Sequence, residues 1–167
     1  MPWYLAALLT GQLPVSRGEV RLDQRNVMEW SEHELFQRIA LLPQRSTLLS
    51  ASLADNLRLA NPQLSDQRLR AALEATGLGY LADDPDQWVG LNGRALSGGE
   101  ARRIALVRCM LTERDALILD EPLRGLDLLA RRRVLDWILS EQRGRTLILL
   151  DHQSPQGFQA DISLALT

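Results

Sequence analysis

The sequence predicts an α/β domain: a parallel β-sheet covered by helices on both faces, with a helical insert between its strands. Three observations predict it. Ile39-Ala40-Leu41-Leu42, Ala116-Leu117-Ile118-Leu119 and Leu147-Ile148-Leu149-Leu150 are uninterrupted apolar runs of strand length, which is how strands buried on both faces read. Helical patterns separate them, as in βαβ units. With 167 residues and 46% hydrophobic residues, the chain can build one core of useful size and not two.

The elements follow in order. Residues 1–10 are apolar but lack a basic leading region and fall well short of the roughly 20 residues that cross a bilayer. Neither a signal peptide nor a membrane span is expected there. Glu19-Val20-Arg21-Leu22 alternates like a strand. Ser31, with Glu34 three residues on, is a capping box that starts a helix, and Pro43 ends the apolar run 39–42 ahead of Gln44. From about Leu48 to about Leu111 the pattern turns helical, with Ser52 to Leu59 stopped by Asn61-Pro62 and Ser65 to Thr76 stopped by Gly77. Val134 to Leu139 belongs to a helix between the last two apolar runs, and Ile162-Ser163-Leu164-Ala165-Leu166 reads as one more strand. Neither heptads nor internal repeats occur, so coiled-coil and solenoid architectures are excluded.

Composition narrows the function. A net charge of -2 argues against nucleic acid as a partner, and Arg131-Arg132-Arg133 reads as a solvated helix face. The single cysteine, Cys109, cannot form an internal disulfide and reads as a small packed residue. All 19 basic residues are arginine. Base-composition bias explains that on the surface, but it would not remove a lysine that chemistry requires.

Two stretches carry chemistry. Ser97 and Glu100 form a second capping box, and Ile104, Val107 and Leu111 continue as an apolar face. Ser97-Gly98-Gly99 therefore sits at a helix N-terminus, where free N–H groups and the helix dipole can receive a phosphate. An ordinary capped helix with a glycine turn reads the same way when taken alone. Asp120 ends an apolar strand and can hold Mg²⁺, while Glu121 beside it can polarise an attacking water. Two carboxylates behind four apolar residues are costly to bury without a cation. His152 follows the next apolar run, with Asp151 between, where it can hydrogen-bond a γ-phosphate; by itself a histidine there would more often be structural. His33 reads as a surface helix residue.

In this order these motifs resemble the nucleotide-binding domain of an ABC exporter, along essentially the whole chain. Gln44 matches the Q-loop glutamine, Leu96 to Glu100 the signature, Leu117 to Asp120 the Walker B strand, Glu121 the catalytic glutamate, Gly125-Leu126-Asp127 the D-loop and His152 the switch histidine. The resemblance implies a P-loop NTPase-like core over residues 1–47 and 112–167, and a helical subdomain over 48–111 that carries the signature. It implies ATP and Mg²⁺ as cofactors, Glu121 and His152 as catalytic residues, and Asp120 and Gln44 at the metal. Nucleotide contacts are implied for Gln44, Ser97, Gly98, Gly99, Glu100 and Asp127. Implied partners are a second nucleotide-binding domain, in a heterodimer, and the transmembrane domain of an exporter, at the cytoplasmic face of the inner membrane. Thr47 to Leu57, Glu100-Ala101-Arg102-Arg103 and Arg124-Gly125-Leu126-Asp127 are similar to the CydC branch of heterodimeric thiol-reductant exporters, linked to cysteine and glutathione export and cytochrome bd assembly.

One departure matters. No G-x-x-x-x-G-K-[ST] loop occurs, and Pro2-Trp3-Tyr4 stands where its Lys-Ser-Thr would fall, ahead of a Leu8-Leu9-Thr10-Gly11 similar to the helix end after Walker A. The expectation is an N-terminally truncated domain, inactive alone, with apolar surface such as Leu117 to Leu119 exposed. The alternative is a non-catalytic module that supplies its signature to a partner's ATPase site. Repair and chromosome-maintenance ATPases with related heads would need a long coiled coil between Gln44 and Ser97, and the short stretch there has no heptads.

Overall fold

The computed structural model describes residues 2–59, 61–90, 93–152, 155 and 157–164. Helix α1 (Pro2–Leu9) leads into a hairpin of β1 (Arg21–Leu22) and β2 (Arg25–Asn26), then α2 (Glu32–Arg38) and β3 (Ile39–Leu42). Next come β4 (Ala51–Ser52), α3 (Leu53–Arg58), α4 (Asp66–Ala75) and β5 (Trp88–Val89). Helix α5 (Gly98–Met110), β6 (Ala116–Asp120), α6 (Leu128–Glu141) and β7 (Thr146–Leu150) complete the order.

The central sheet has the order β3-β6-β7 and is parallel throughout. Alternate residues of its apolar strands face opposite sides. Ala40, Leu42, Leu117 and Leu119 pack with Ala105, Leu106, Cys109 and Met110 of α5 and with Val134, Leu135 and Ile138 of α6. Ile39, Ala116, Ile118 and Leu150 pack on the other side with Ala6 of α1 and Leu35 of α2. The α/β class and two-faced cover read from the three apolar runs are thus what the chain adopts.

Helix α5 is shared between two cores. Ile104, Val107 and Leu111 turn to a separate cluster built from Leu53 and Leu57 of α3, Leu69, Ala72 and Leu73 of α4, and Leu78, Leu81 and Val89. The apolar face expected on α5 is therefore one of two. Asn56, wholly buried in that cluster's shell, satisfies its amide by accepting from Leu49 N–H at 2.8 Å and donating to the carbonyls of Leu49 and Ser52. It clips together the loop that follows Gln44.

Four expectations are corrected. The strand at 19–22 is confined to Arg21–Leu22: Asp23 and Gln24 take positive φ and turn the chain at once into β2, and before Arg21 one further backbone bond, from Val27 N–H to the Val20 carbonyl, joins the two segments. The stretch 48–111 is not wholly helical, since Ala51–Ser52 pairs antiparallel with Trp88–Val89; two-residue strands are too short to show a period. Ile162 to Leu164 form no strand and are exposed, while residues 165 and 166 lie outside those described. Leu117 to Leu119 are fully buried, not exposed, because β3 and β7 cover both edges of β6 and helices cover both faces. Cys109 is buried as expected, and burial pushes its thiol up to about 12.

Candidate functional site

The apolar run of β6 ends inside the protein, so the carboxyl groups that follow it are buried: Asp120 and Glu121 are 1% and 3% exposed. Glu121 has φ 49°, its N–H donates to the Leu150 carbonyl at 2.7 Å, and the turn aims it across the C-terminal ends of the sheet. Its Oε1 accepts from Gln44 Nε2 at 3.2 Å and lies 2.9 Å from His152 Nε2; its Oε2 accepts from Arg124 Nη1 at 2.9 Å. The order β3-β6-β7 explains this convergence, since Gln44, Asp120-Glu121 and His152 each follow one of three neighbouring parallel strands. Crevices at the carboxyl ends of such strands are where α/β folds bind ligands.

Burial raises the Glu121 carboxyl, but the hydrogen bonds from Gln44 and Arg124, with the charges of Arg124 and His152, outweigh it and leave the group below its ordinary value. Asp120 behaves oppositely: burial first, and then the neighbouring Glu121 charge, raise it. Its Oδ1 is buried without a hydrogen-bond partner. Asp120 and Gln44 line a cavity of about 350 Å³ together with Trp3, Ala6, Gln12 and Leu41. An orphaned carboxylate oxygen on such a cavity fits a hard cation. No group of three or more His, Cys, Asp or Glu able to hold a metal occurs among the described residues, so beyond Asp120 and the Gln44 amide a cation would take its ligands from water and phosphate, as Mg²⁺ ordinarily does. A second cavity, about 330 Å³ between Thr10, Trp30 and Phe36, is lined by none of the candidate catalytic, nucleotide-binding or metal residues.

The remaining candidates lie at helix starts. Ser97 Oγ accepts from Glu100 N–H at 3.2 Å, and Glu100 Oε2 accepts from Ser97 N–H at 2.7 Å, closing the capping box. Tyr80 donates to the other Glu100 oxygen. Hydrogen bonds from Tyr80, and then from Ser97, bring the Glu100 carboxyl down to about 2. Ser97, Gly98 and Gly99 are exposed, and nothing stands within 4 Å of a Cβ placed on Gly98. Asp127 caps α6 by accepting from Ala130 N–H at 2.9 Å and is also exposed. Gln44, Asp120, Glu121 and His152 thus form one cluster, whereas Ser97 to Glu100 and Asp127 face outward from it.

Two arginines complete the cluster without having been expected there. Arg124 pairs with Glu121, and Arg102 donates to the carbonyls of Gln44, Asp120 and Glu121. Arg102 sits in an arginine-rich helix that gives no local signal, and for Arg124 only its spacing three residues after Glu121 was open to reading.

The family model described as ABC transporter matches residues 4–124. The chain belongs to the ABC transporter family. Among curated relatives of this ABC domain, the glutathione/L-cysteine transport system ATP-binding/permease protein CydC of Escherichia coli is 37% identical over 147 residues, covering 87% of this chain and 26% of the relative. The ATP-dependent lipid A-core flippase of Alkalilimnicola ehrlichii is 34% identical over 154 residues, covering 89% and 26%. A solved bacterial Atm1-family ABC exporter with ATP bound shares the fold, with a TM-score of 0.77 at 23% identity over 90% of this chain and 27% of that one. The ABC domain therefore spans about a quarter of the length of the curated relatives it matches. No helix among its described residues is long and apolar enough to cross a membrane.

Proposed function

We propose that this chain is the ATP-binding and ATP-hydrolysing domain of an ABC exporter subunit of the thiol-exporting kind, moving cysteine or glutathione in support of cytochrome bd assembly. The observation that carries the ATPase reading is the meeting of Gln44, Asp120, Glu121 and His152 at one end of the parallel sheet. Asp120, with its unpartnered Oδ1, and Gln44 would hold Mg²⁺. The bound ion would offset the charge of the ATP phosphates. Glu121 orients the attacking water and accepts its proton, and His152, already on Glu121 Oε1, is placed to turn between that oxygen and the γ-phosphate. The exposed Ser97-Gly98-Gly99 helix end and Asp127 face a second ABC domain, which completes the pair as a heterodimer.

The thiol substrate draws its support from two CydC relatives, at 37% in Escherichia coli and 35% in Haemophilus influenzae, and a CydD relative at 33% in Bacillus subtilis. Selectivity itself belongs to the membrane-spanning part, and this domain works at the cytoplasmic face of the inner membrane. The division into a core of residues 1–47 and 112–167 and a helical subdomain of 48–111 belongs to the same reading. It is supported by the separate apolar cluster that α3 and α4 form on one flank of α5.

A second reading, in which the chain lends its signature to a partner's site, is favoured by the open helix end at Gly98. ATP turnover by the exporter that contains this sequence tests the first reading: Glu121→Gln should abolish hydrolysis at the site it lines while nucleotide still binds. Undiminished turnover per site would refute it. Calorimetry on the 167-residue polypeptide alone should show MgATP binding weaker than micromolar, because these residues include no G-x-x-x-x-G-K-[ST] loop.

A further inference from the structure

Glu121 occupies a left-handed backbone conformation that residues with a Cβ rarely adopt, and such a conformation persists only where its surroundings impose it. One restraint is its N–H, held by the last carbonyl of β7, Leu150. The other is its carbonyl, which accepts from Arg102 Nε at 3.2 Å and from Arg102 Nη2 at 2.7 Å. The same guanidinium donates through Nη2 to the Asp120 carbonyl and through Nη1 to the Gln44 carbonyl. One side chain therefore ties together three backbone carbonyls, one beyond β3 and two at the end of β6.

Arg102 forms no ion pair within 4 Å among the described residues. Its donors go to backbone, although Glu121 and Asp120 stand close enough for their charges to act on it. A planar fork with fixed donor directions suits that task, whereas an ammonium is a point charge on a flexible stem. Arg102 also stands on α5 little more than one turn after Ser97. The helix that presents the signature outward is thereby fastened to the backbone that presents Glu121 and Gln44 inward.

We propose that Arg102 is a positioning residue that holds Glu121 in its left-handed turn and sets Gln44 and the signature helix in one fixed relation. The proposal rests on the reading of Glu121 and Gln44 given above, but its geometric content is tested without nucleotide.

The test is NMR on the 167-residue polypeptide, comparing the parent with Arg102→Gln and Arg102→Lys. The parent should show the strong intraresidue Hα–HN contact of a positive φ at Glu121, and slow exchange of the Glu121 amide. Both variants should lose that contact, exchange the Glu121 amide at least about tenfold faster and shift the Gln44 amide, while the Ser97-capped start of α5 keeps its signals. Arg102 carrying only packing through its stem would be rescued by Lys. Retention of the positive-φ contact and of amide protection in either variant would overturn the proposal. Global loss of dispersion in both variants would overturn it too, since Arg102 would then be required by the fold as a whole. Because no arm depends on ATP, failure here leaves the ATPase reading standing, and an exporter unaffected by Glu121→Gln would fault only that reading.

Discussion

Replacing Glu100 by Gln removes a charge from the signature helix without removing its cap. Gln can still accept from Ser97 N–H, so what is lost is the ionised group that Tyr80 and Ser97 hold at about 2 against an ordinary 4.5. Taken at face value that gap corresponds to about 3 kcal/mol. Screening by water at a helix start on the surface cuts the expected value to about 1–2 kcal/mol. The folded carboxyl titrates below the unfolded one, so the stabilisation is complete above pH about 4.5 and is lost as pH falls toward about 2. Urea unfolding followed by circular dichroism should place Glu100→Gln about 1–2 kcal/mol below the parent at pH 7. Less than about half of that difference should remain at pH 3. Tyr80→Phe, which removes the largest contributor, should shrink the effect of Glu100→Gln when the two are combined in a double-mutant cycle. A difference that is the same at pH 7 and pH 3, or no difference at pH 7, would refute the reasoning.

Three further outcomes follow from the same contacts. Arg145 donates to the carbonyls of Met110 and Thr112 at the end of α5 and of Glu141 and Gln142 at the end of α6; Arg145→Ala should cost about 2–3 kcal/mol by unsatisfying these helix ends, and an unchanged thermal midpoint would contradict this. Leu117→Ala, at a fully buried position of the middle strand, should cost about 2–5 kcal/mol, whereas Leu129→Ala, at a position 79% exposed, should stay within about 0.5 kcal/mol; the reverse ranking in chemical denaturation would overturn the assignment of the core. Paired with a second ABC domain, Ser97→Arg should abolish the partner site's hydrolysis, while Glu121→Gln leaves that site largely untouched; equal losses in a phosphate-release assay would deny that division of labour.

How much was legible in the sequence depends on how far each signal travels along the chain. The capping boxes at Ser31 and Ser97 are complete within four residues, and both form as read. The three apolar runs show their strand character and their two buried faces without any knowledge of which strand is their neighbour. Short-range devices of low regularity escaped: β4 and β5 are two residues each, and the turn at Asp23-Gln24 puts positive φ on residues that are not glycine. Long-range side-chain contacts escaped for another reason. Asn56 reaching back to Leu49, or Arg102 reaching Gln44, leaves no mark on spacing, and an arginine in an arginine-rich helix looks like solvated surface until the fold is known.

The cluster at Glu121 shows why such contacts settle in this place. A continuous apolar strand carries its terminal carboxylates to a depth where they are desolvated, so each must find a donor or a cation. Glu121 finds two side-chain donors, Gln44 and Arg124, and has His152 Nε2 2.9 Å away, so that the segments after β3, β6 and β7 all reach it. Asp120, one residue earlier and facing the cavity, finds none for Oδ1. Two adjacent acids at nearly equal depth are thus divided by the left-handed turn between them. One is saturated by protein and lowered, and the other is unsatisfied and raised. On the proposed reading, that asymmetry separates a group that would meet a cation from a group that would meet water. The turn would then be required for it, and the backbone clamp from Arg102 would bear on the chemistry as well as on the packing.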